Sequence, residues 1–346
     1  MAATRKVPTT LKEVAKEAGV SIQTVSRVVN ERPDVAPETR QRVLSIIDRL
    51  GYRPNVLARS LIRRRSHTLG VVTAGLMYTG PSRTLNGIAA QAQRMNYSLL
   101  VKELPDFGGF RVQPLLDDLL ARQVDGVIWA VAEVGENRAE FVDHLVEAPV
   151  PIVFLTMAPR AGWHIVAIDN EAGGRLATEH LLAQGRRRIG HITGPLDWWE
   201  ARERRAGWEA ALAAAGMPAP APWCVEGDWS SISGSEGIAQ LLAQVPDLEA
   251  VFVGNDQMAL GVLHYAHRRG IRVPGDLAVV GFDDITEAAY FSPPLTTIHH
   301  DQHRLGCTAV QEIVRRIEAE QEDNTTGGDP RYAHIQPTLI VRESSV

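Results

Sequence analysis

The chain has 346 residues, of which 45% are hydrophobic and 22% are charged, and this size allows two or three domains with sizeable cores. No apolar run is long enough to span a membrane, the first ten residues lack the apolar core of a signal peptide, and the two cysteines, Cys224 and Cys307, stand outside any CxxC pattern. These features exclude membrane, disulfide-framework and zinc-site proteins and predict a cytoplasmic protein without a cofactor.

The charge is divided unevenly along the chain. Residues 1–65 contain 14 Lys and Arg against six Asp and Glu, a net charge of +8, whereas the other 281 residues contain 22 against 35, a net charge of −13. The overall charge of −5 would by itself argue against a nucleic-acid partner. A basic segment joined to an acidic remainder is instead typical of a nucleic-acid contact confined to one part of the chain.

The basic segment begins with two short helix patterns. Thr10 and Glu13 have the spacing of a capping box, and Gly19 supplies a stop, so a first helix is predicted to end there. Ser21 is suited to cap a second helix over residues 22–30. Two short amphipathic helices joined by a glycine-containing turn form the helix-turn-helix pattern.

The string VAKEAGVSIQTVSRVVN, residues 14–30, resembles the lactose/galactose repressor (LacI/GalR) family of bacterial transcription regulators. This resemblance implies that the second helix lies in the major groove of DNA, with Ile22 and Gln23 reading bases and Arg27 contacting a base or a phosphate. Gln can pair with adenine and Arg with guanine, while Ile can only pack on an apolar edge such as a thymine methyl. The alternative is an ordinary solvated helix face. The DNA-contacting residues expected in this part of the chain are Thr10, Ser21, Ile22, Gln23, Thr24, Arg27, Asn30 and Thr39.

A third helix and a linker complete the basic segment. The helix is predicted over Pro37–Leu50, because proline is suited to a first helical turn. Residues 55–61 resemble the family's hinge helix, which enters the minor groove from each half of a dimer. The resemblance implies that Asn55, Ala58 and Leu61 contact DNA and that Leu61 wedges between base steps. A flexible charged linker is the alternative, because so short a helix is not stable alone in water.

From residue 67 onward, short apolar runs alternate with longer helical patterns. Strands separated by helices predict parallel, doubly wound sheets, whose ligands bind at the carboxyl ends of the strands. Two such series predict two lobes with a cleft between them. The predicted strands are 69–76, 97–104, 125–131, 151–157, 164–170, 188–194, 250–256 and 277–284, and the helices predicted between the first four are 84–95, 111–123 and 137–147.

Much of this body resembles the lactose repressor subgroup of the same family. The matching segments are 201–208, 227–234, 251–261 and 279–301. The resemblance implies a sugar receptor like the periplasmic binding proteins, in which Arg204 donates to sugar hydroxyls, Trp229 stacks on the pyranose ring, and Asn255 and Asp283 bind further hydroxyls. A core tryptophan is the alternative for Trp229. The expected effector-binding residues are Leu76, Tyr78, Pro81, Thr156, Glu200, Arg204, Trp229, Asn255, Asp283 and His300.

Three of these positions depart from the subgroup's pattern. Thr156 stands where the subgroup has Asp, Glu200 where it has a small serine, and His300 where it usually has Gln. Such changes alter which hydroxyl groups are read, and a galactoside is the first choice of effector. The histidines near position 300 are not expected to bind a metal, because no further ligands have suitable spacing.

These features predict a fold and a division of the chain. The fold class is a small all-α helix-turn-helix DNA-binding domain followed by an α/β, two-lobed, periplasmic-binding-protein-like effector domain built on doubly wound parallel sheets. The predicted boundaries are 1–54 for the DNA-binding headpiece, 55–66 for the hinge, and 67–346 for the sensing and dimerisation domain, with an N-lobe at about 67–166 and 298–326 and a C-lobe at about 167–297 and 327–346.

The predicted function is a sequence-specific repressor of carbohydrate-utilisation genes that binds a pseudo-palindromic operator as a homodimer and is released by a small sugar. A dimer is expected because the C-terminal string QPTLIVRESSV has no leucine heptads that would join dimers into a tetramer. No catalytic signature such as GxSxG or HExxH is present, so an enzyme is not expected. The alternatives are a regulator of another sugar, an activator or co-repressed repressor, a sugar-binding transport protein and a glycoside-acting enzyme.

Overall fold

The computed structural model describes residues 9–30, 32–52, 65–105, 107, 112–135, 148–319 and 332–346. The chain divides into two compact units, Met1–Ser66 and His67–Val346. Within the described ranges, no helix is both long and apolar enough to cross a bilayer.

Over residues 9–30 and 32–52, the first unit is a bundle of three helices around a small apolar core. The helices are α1 (Leu11–Ala18), α2 (Ile22–Val29) and α3 (Pro37–Leu50), within one residue of the predicted ranges. Thr10 and Glu13 form the predicted capping box, in which each side chain accepts a hydrogen bond from the other residue's backbone amide. The buried core residues are Val14, Ala15, Ala18, Val25, Val28, Val43, Ile46 and Tyr52. Because α2 turns its valines inward, its polar side chains lie on the outside.

The described part of the second unit contains two six-stranded sheets. The first sheet, which forms the N-lobe, has the order β11-β5-β4-β3-β1-β2, and every neighbouring pair is parallel. Its strands are β1 (Thr68–Ala74), β2 (Ser98–Leu104), β3 (Gly126–Ala130), β4 (Ile152–Leu155), β5 (Ile165–Ile168) and β11 (Tyr332–Ile335), and the helices that accompany it are α4 (Thr79–Arg94), α5 (Val112–Ala121) and α10 (Gln302–Ala319). The helix predicted over 137–147 lies outside the described residues. Apolar clusters cover the sheet on both faces, as parallel strands require.

The second sheet forms the C-lobe and has the order β12-β10-β9-β8-β6-β7, with only the edge strand β12 antiparallel to its neighbour. Its strands are β6 (Ile189–Thr193), β7 (Cys224–Glu226), β8 (Ala250–Val253), β9 (Ala278–Phe282), β10 (Thr296–His299) and β12 (Thr338–Ile340), and its helices are α6 (Asn170–Ala183), α7 (Trp199–Ala214), α8 (Ser231–Gln244) and α9 (Asp256–Arg269). The predicted doubly wound, two-lobed architecture is confirmed.

In the described residues, the chain passes between the two sheets three times. It passes after β5 at Asp169, after β10 at His300, and between β11 and β12. The last passage differs from the boundary near residue 327 expected from the sequence. Tyr332–Ile335 pairs in parallel register with Ile165–Ile168 and therefore belongs to the N-lobe. The carboxyl ends of strands from both sheets border one cleft.

Helices α6 and α7 approach each other closely at two glycines. A Cβ atom at Gly174 would lie 2.2 Å from the carbonyl oxygen of Arg204, and one at Gly207 would lie 2.1 Å from that of Glu171. These distances are shorter than any allowed contact, so a larger side chain at either position must push the helices apart. The glycines thereby fix where Arg204 enters the cleft.

We expect Gly174→Ala to lower the free energy of unfolding by about 2 kcal/mol, because the steric cost exceeds the helix propensity that alanine adds. Urea unfolding followed by circular dichroism measures the change. Gly275→Ala is the matched control, since its Cβ would lie at an ordinary 3.5 Å from the nearest atom of Arg272. Equal stability of the two variants would contradict the close approach of the helices.

Candidate functional site

A cleft of about 980 Å³, part of it open to solvent, lies between the two lobes of the second unit. The N-lobe lines it with the ends of β1, β3 and β4 and the start of α4. The C-lobe lines it with the start of α7 and with the loops after β7, β8 and β9. Ligands of doubly wound sheets bind at such strand ends, so the cleft lies where a small-molecule site is expected.

Arg204 is a buried cation on the C-lobe side of the cleft, only 6% exposed. Its Nε donates to Asn170 Oδ1 at 2.9 Å, and its Nη1 donates to the Gly254 carbonyl at 2.5 Å. The Asp283 carboxylate lies 3.8 Å from Nη1, and the guanidinium carbon lies 3.7 Å from the centroid of the Phe282 ring. These contacts fix the orientation of the guanidinium and use two of its five N–H groups, which leaves donors for a ligand.

A chain of hydrogen bonds runs from Asp283 in the C-lobe to Thr84 in the N-lobe. Asp283 Oδ1 lies 2.8 Å from His300 Nε2, His300 Nδ1 lies 3.1 Å from Gln302 Nε2, and Gln302 Oε1 accepts from Thr84 Oγ1 at 2.7 Å. Burial lowers the pKa of His300. A neutral imidazole that donates from Nε2 and accepts at Nδ1 satisfies both neighbours. The chain therefore holds the Asp283 carboxylate in place.

Glu200 lies in the first turn of α7 and lines the cleft. Within the described part of the chain, no residue donates a hydrogen bond to its carboxyl group or forms an ion pair with it. Burial raises the pKa of Glu200 to about 7, against the opposing effect of the Arg204 charge and with a further rise from Asp283. The carboxyl group thus titrates near neutral pH, and in its protonated form it offers a donor to a ligand.

We expect Glu200→Gln to remove a pH dependence of stability. Below pH 4.5 the carboxyl group is protonated in both the folded and the unfolded chain, so it does not lower the free energy of unfolding. Between pH 4.5 and about 7 the unfolded chain loses this proton while the folded chain keeps it, and stability falls by up to about 3 kcal/mol. Urea unfolding of the ligand-free protein at several pH values measures the difference.

The free energy of unfolding of the Gln variant should therefore equal that of the native chain at low pH and exceed it above pH 7. Glu236→Gln, at an exposed position on α8, is the control and should leave the pH profile of the native chain unchanged. If the free energy of unfolding changes with pH in the same way in Glu200→Gln and in the native chain, the pKa of Glu200 is not raised by folding.

Trp229 stands beside Arg204, with its ring centroid 5.4 Å from the guanidinium carbon. Its backbone has a φ of 71°, its carbonyl accepts from Asn255 Nδ2 at 3.0 Å, and its ring lies over Gly194, where a Cβ atom would come within 2.1 Å. Asn255 also caps α9 by accepting from the Met258 amide at 2.8 Å. Trp229 is therefore a fixed, partly exposed wall of the cleft and not a core residue.

Most of the residues expected to bind an effector come together in this cleft. The eight that line it are Tyr78, Pro81, Thr156, Glu200, Arg204, Trp229, Asn255 and Asp283. Leu76 lies in the turn before α4 and does not line the cleft, although the next two residues, Met77 and Tyr78, do. His300 does not either, because its ring is buried with its centroid 5.0 Å from that of Phe282. His300 instead positions Asp283.

The cleft also contains side chains that sequence reasoning missed. These are Phe107, Trp198, Gln257 and Gln302. Gln257 Nε2 donates to Thr79 Oγ1 at 3.0 Å and so joins the C-lobe to the N-lobe. Phe107 and Trp198 each follow the carboxyl end of a strand, which is the signal that would have found them. Gln302 lines the cleft where His300 was expected.

The outer face of α2 in the first unit carries the side chains expected to read DNA. Ile22 is 50% exposed, and Gln23 and Arg27 are also exposed. Arg27 lies 3.5 Å from Asp34 in a solvent-exposed ion pair. Among the described residues, none forms a hydrogen bond with the Gln23 side chain. The amide is therefore available to a partner outside the chain.

The other expected DNA contacts surround this face. Thr10 and Ser21 are exposed and cap their helices, and Thr24 Oγ1 lies 2.9 Å from Ser21 Oγ. Asn30 Nδ2 donates to the Ser26 carbonyl at 2.7 Å. The remaining positions are Thr39, half-buried in the first turn of α3, and Asn55, Ala58 and Leu61, which lie outside the described residues.

Comparison with known proteins relates both units to established families. Residues 10–55 match the bacterial regulatory proteins of the lacI family, and residues 178–345 match the periplasmic binding protein-like domain. The chain is 34% identical over 318 residues to catabolite control protein A of Priestia megaterium, which covers 91% of this chain and 95% of the relative. The chain belongs to the lacI family of bacterial regulatory proteins. It is also 36% identical over 309 residues to the ribose operon repressor of Escherichia coli, with 89% and 93% covered.

A solved structure of the lacI family shares the fold of this member. The lac repressor dimer bound to operator and the anti-inducer ONPF superposes with a TM-score of 0.85 at 32% identity, covering 98% of this chain and 100% of that chain. The predicted family and fold class are confirmed. The order of the two units, a helix-turn-helix domain followed by a two-lobed domain, is that of the family.

Proposed function

We propose that this lacI-family member is a transcriptional repressor that binds a pseudo-palindromic operator through α2 and is released by a small sugar in the cleft. One observation carries the proposal: the same chain combines an exposed α2 face with a two-lobed cleft that brings Arg204 against Trp229. The lacI-family relative from Escherichia coli is named as an operon repressor, which supports the same direction. Such a regulator acts in the cytoplasm, where a bacterial chromosome lies.

The DNA-binding half of the proposal rests on α2. Gln23 can form a bidentate pair with adenine, Arg27 can reach guanine or a phosphate, and Ile22 can pack on a thymine methyl. The net charge of +8 on residues 1–65 supplies affinity for phosphates, so binding should weaken steeply with salt. One headpiece reads one half-site, and a homodimer is therefore needed for a pseudo-palindromic operator.

The sugar-sensing half rests on the combination of a flat aromatic face with forked polar groups, which a polyhydroxylated ring requires. Trp229 offers the ring face, and Arg204, Asn255 and Asp283 offer donors and acceptors. A galactoside is the first candidate. A different sugar is the second, favoured by the Glu200 carboxyl group, which has no hydrogen-bond partner among the described residues.

Release follows from linkage between the two sites. A ligand that contacts both lobes favours one arrangement of them, and it shifts the equilibrium only by its difference in affinity for the two arrangements. The hydrogen-bonded chain from Asp283 to Thr84 gives the ligand a contact with α4 of the N-lobe. In the bound state on DNA, we propose that Leu61 of each hinge wedges between base steps and that sugar binding withdraws it.

Selection of operators from a random DNA library by the full chain, followed by anisotropy titration of the selected duplex, tests this function. A palindromic site, two chains per duplex and at least about 10-fold release by one sugar of a panel containing galactosides are expected. Absence of sequence preference would refute the DNA half, and a selected palindrome that no sugar affects would refute the sensing half. Tighter binding with sugar would replace induction by co-repression.

Two further measurements address the competing classes. Analytical ultracentrifugation is expected to show a dimer, and a stable tetramer would contradict the assembly proposed. A glycoside-acting enzyme would release p-nitrophenol from p-nitrophenyl glycosides, and we expect no release above the buffer rate. Steady release that tracks the protein concentration would favour the enzyme.

A further inference from the structure

Four aromatic rings form one continuous wall of the cleft. The centroids of Phe107 and Trp198 lie 4.5 Å apart, and Tyr78 lies 6.3 Å from Phe107 and 6.2 Å from Trp198. Trp198 in turn lies 5.8 Å from Trp229. All four rings line the cleft, and each is partly exposed. Aromatic surface left open inside a cavity indicates a surface that a ligand covers.

The wall has a polar part and an apolar part. Trp229 stands with Arg204, which supplies hydrogen-bond donors for the hydroxyl groups of one sugar ring. Tyr78, Phe107 and Trp198 continue the aromatic surface beyond it, from the C-lobe to the N-lobe. One pyranose ring stacked on Trp229 leaves this second surface uncovered.

Hydrogen bonds fix the backbone at Trp198 and at the next residue. Its amide donates to the Pro195 carbonyl at 3.0 Å, and the amide of Trp199 donates to the Glu133 carbonyl at 3.2 Å. Trp199 itself is 6% exposed and is buried in the apolar core of the N-lobe. Of the two adjacent tryptophans, Trp199 therefore packs in the core of the N-lobe, and Trp198 presents its ring to the cleft as a platform for stacking. A platform fixed before binding loses little conformational freedom when a ring stacks on it.

We propose that Tyr78, Phe107 and Trp198 form a subsite for a second ring, and that the effector is accordingly a glycoside of two rings and not a monosaccharide. This inference rests on the proposed sugar-sensing function and defines its class of ligand. The hydroxyl-bearing pyranose lies on Trp229 beside Arg204. The second ring presents a flat apolar face to Trp198, and either a second sugar or an aryl aglycone has such a face.

Calorimetric titration of the full chain with matched ligands tests the subsite. The probes are methyl β-galactoside, phenyl β-galactoside and lactose in one series, and methyl β-glucoside, phenyl β-glucoside and cellobiose in the other. In at least one series, a two-ring ligand is expected to bind about 10-fold more tightly than the methyl glycoside. Preference for the phenyl glycoside identifies an aryl aglycone as the second ring, and preference for the disaccharide identifies a second sugar.

Variants assign the preference to the wall. Trp198→Ala is expected to weaken the two-ring ligand by about 10-fold and the methyl glycoside by less than about threefold, while Trp198→Phe keeps most of the preference. Phe107→Ala gives the same test without disturbing the backbone around the two tryptophans. Tyr290→Ala, at an 84% exposed aromatic outside the cleft, is the matched control and should bind like the native chain.

Three outcomes would overturn the subsite. Equal affinities for methyl and two-ring glycosides in both series would refute it while leaving sugar sensing intact. An equal loss of both ligand types in Trp198→Ala and Phe107→Ala would show that the rings only maintain the shape of the cleft. Failure of all six ligands to bind would overturn the subsite for galactosides and glucosides, and the wider sugar panel of the operator experiment would then decide the sugar-sensing function separately.

Discussion

Arg204→Ala abolishes the response to sugar while operator binding persists; this is the largest effect we expect. The guanidinium is fixed by Asn170 and the Gly254 carbonyl, and it faces Asp283 across 3.8 Å. Its removal takes away the charged donors aimed at sugar hydroxyls, each worth about 1.5–3 kcal/mol, so sugar affinity should fall at least about 100-fold. Anisotropy of a labelled operator, titrated with a sugar that releases the native protein, measures the loss.

A loss of stability accompanies this substitution and must be separated from it. Removing one partner of a buried charged group costs about 3–5 kcal/mol, so the unfolding of each variant is measured alongside. Arg204→Lys keeps the charge but loses the planar fork, and it should also fail to respond. Arg205→Ala, on the same helix but paired with Glu209 at the surface, is the matched control and should respond normally. Normal release in Arg204→Ala would remove this residue from the sugar site.

Gln23→Ala erases much of the discrimination between the operator and random DNA. One bidentate contact to a base is worth about 1–3 kcal/mol, so specific affinity should fall by about 5- to 150-fold while non-specific affinity stays the same. The side chain is exposed and lacks a hydrogen-bond partner among the described residues, so the headpiece should keep its stability. Competition of the labelled operator with random duplex measures the ratio.

The salt dependence separates base reading from phosphate contact. Gln23 carries no charge, so the slope of affinity against salt should not change in the variant. Gln41→Ala, at an exposed position in α3, is the control and should keep full discrimination. If Gln23→Ala lowers specific and non-specific binding alike, the side chain does not read a base.

Local signals in the sequence were sufficient for the first unit. The helix bounds follow from residues that act within one helical turn. Thr10 and Glu13 form the capping box that begins α1, and Gly19 and Gly51 adopt the left-handed backbone conformation that ends α1 and α3. The same holds for eight of the twelve strands described in the second unit, because their apolar runs are typical of parallel sheets buried on both faces. The strands β7, β10, β11 and β12 were not predicted from the sequence. Residue types within one turn or one strand are enough to determine such elements.

Long-range packing determined what the sequence could not show. The ring of His300 turns away from the cleft because Asp283 and Gln302, on either side of it, bond its two nitrogens. Tyr332–Ile335 joins the N-lobe through pairing with a strand more than 160 residues earlier in the chain. Trp198 and Trp199 look alike in sequence, yet one faces the cleft and the other enters the N-lobe core. None of these side-chain orientations and strand pairings is determined within a single helix or strand.

The three passages of the chain between the lobes limit which parts of the protein recombination can exchange. Neither lobe is a continuous stretch of sequence, because each sheet takes strands from both sides of a passage. A single recombination event cannot exchange one lobe for that of a relative without breaking the other. The residues that line the cleft therefore change mainly by point substitutions. The first unit, in contrast, is one continuous segment that ends at Ser66, so it can be exchanged whole without touching the cleft.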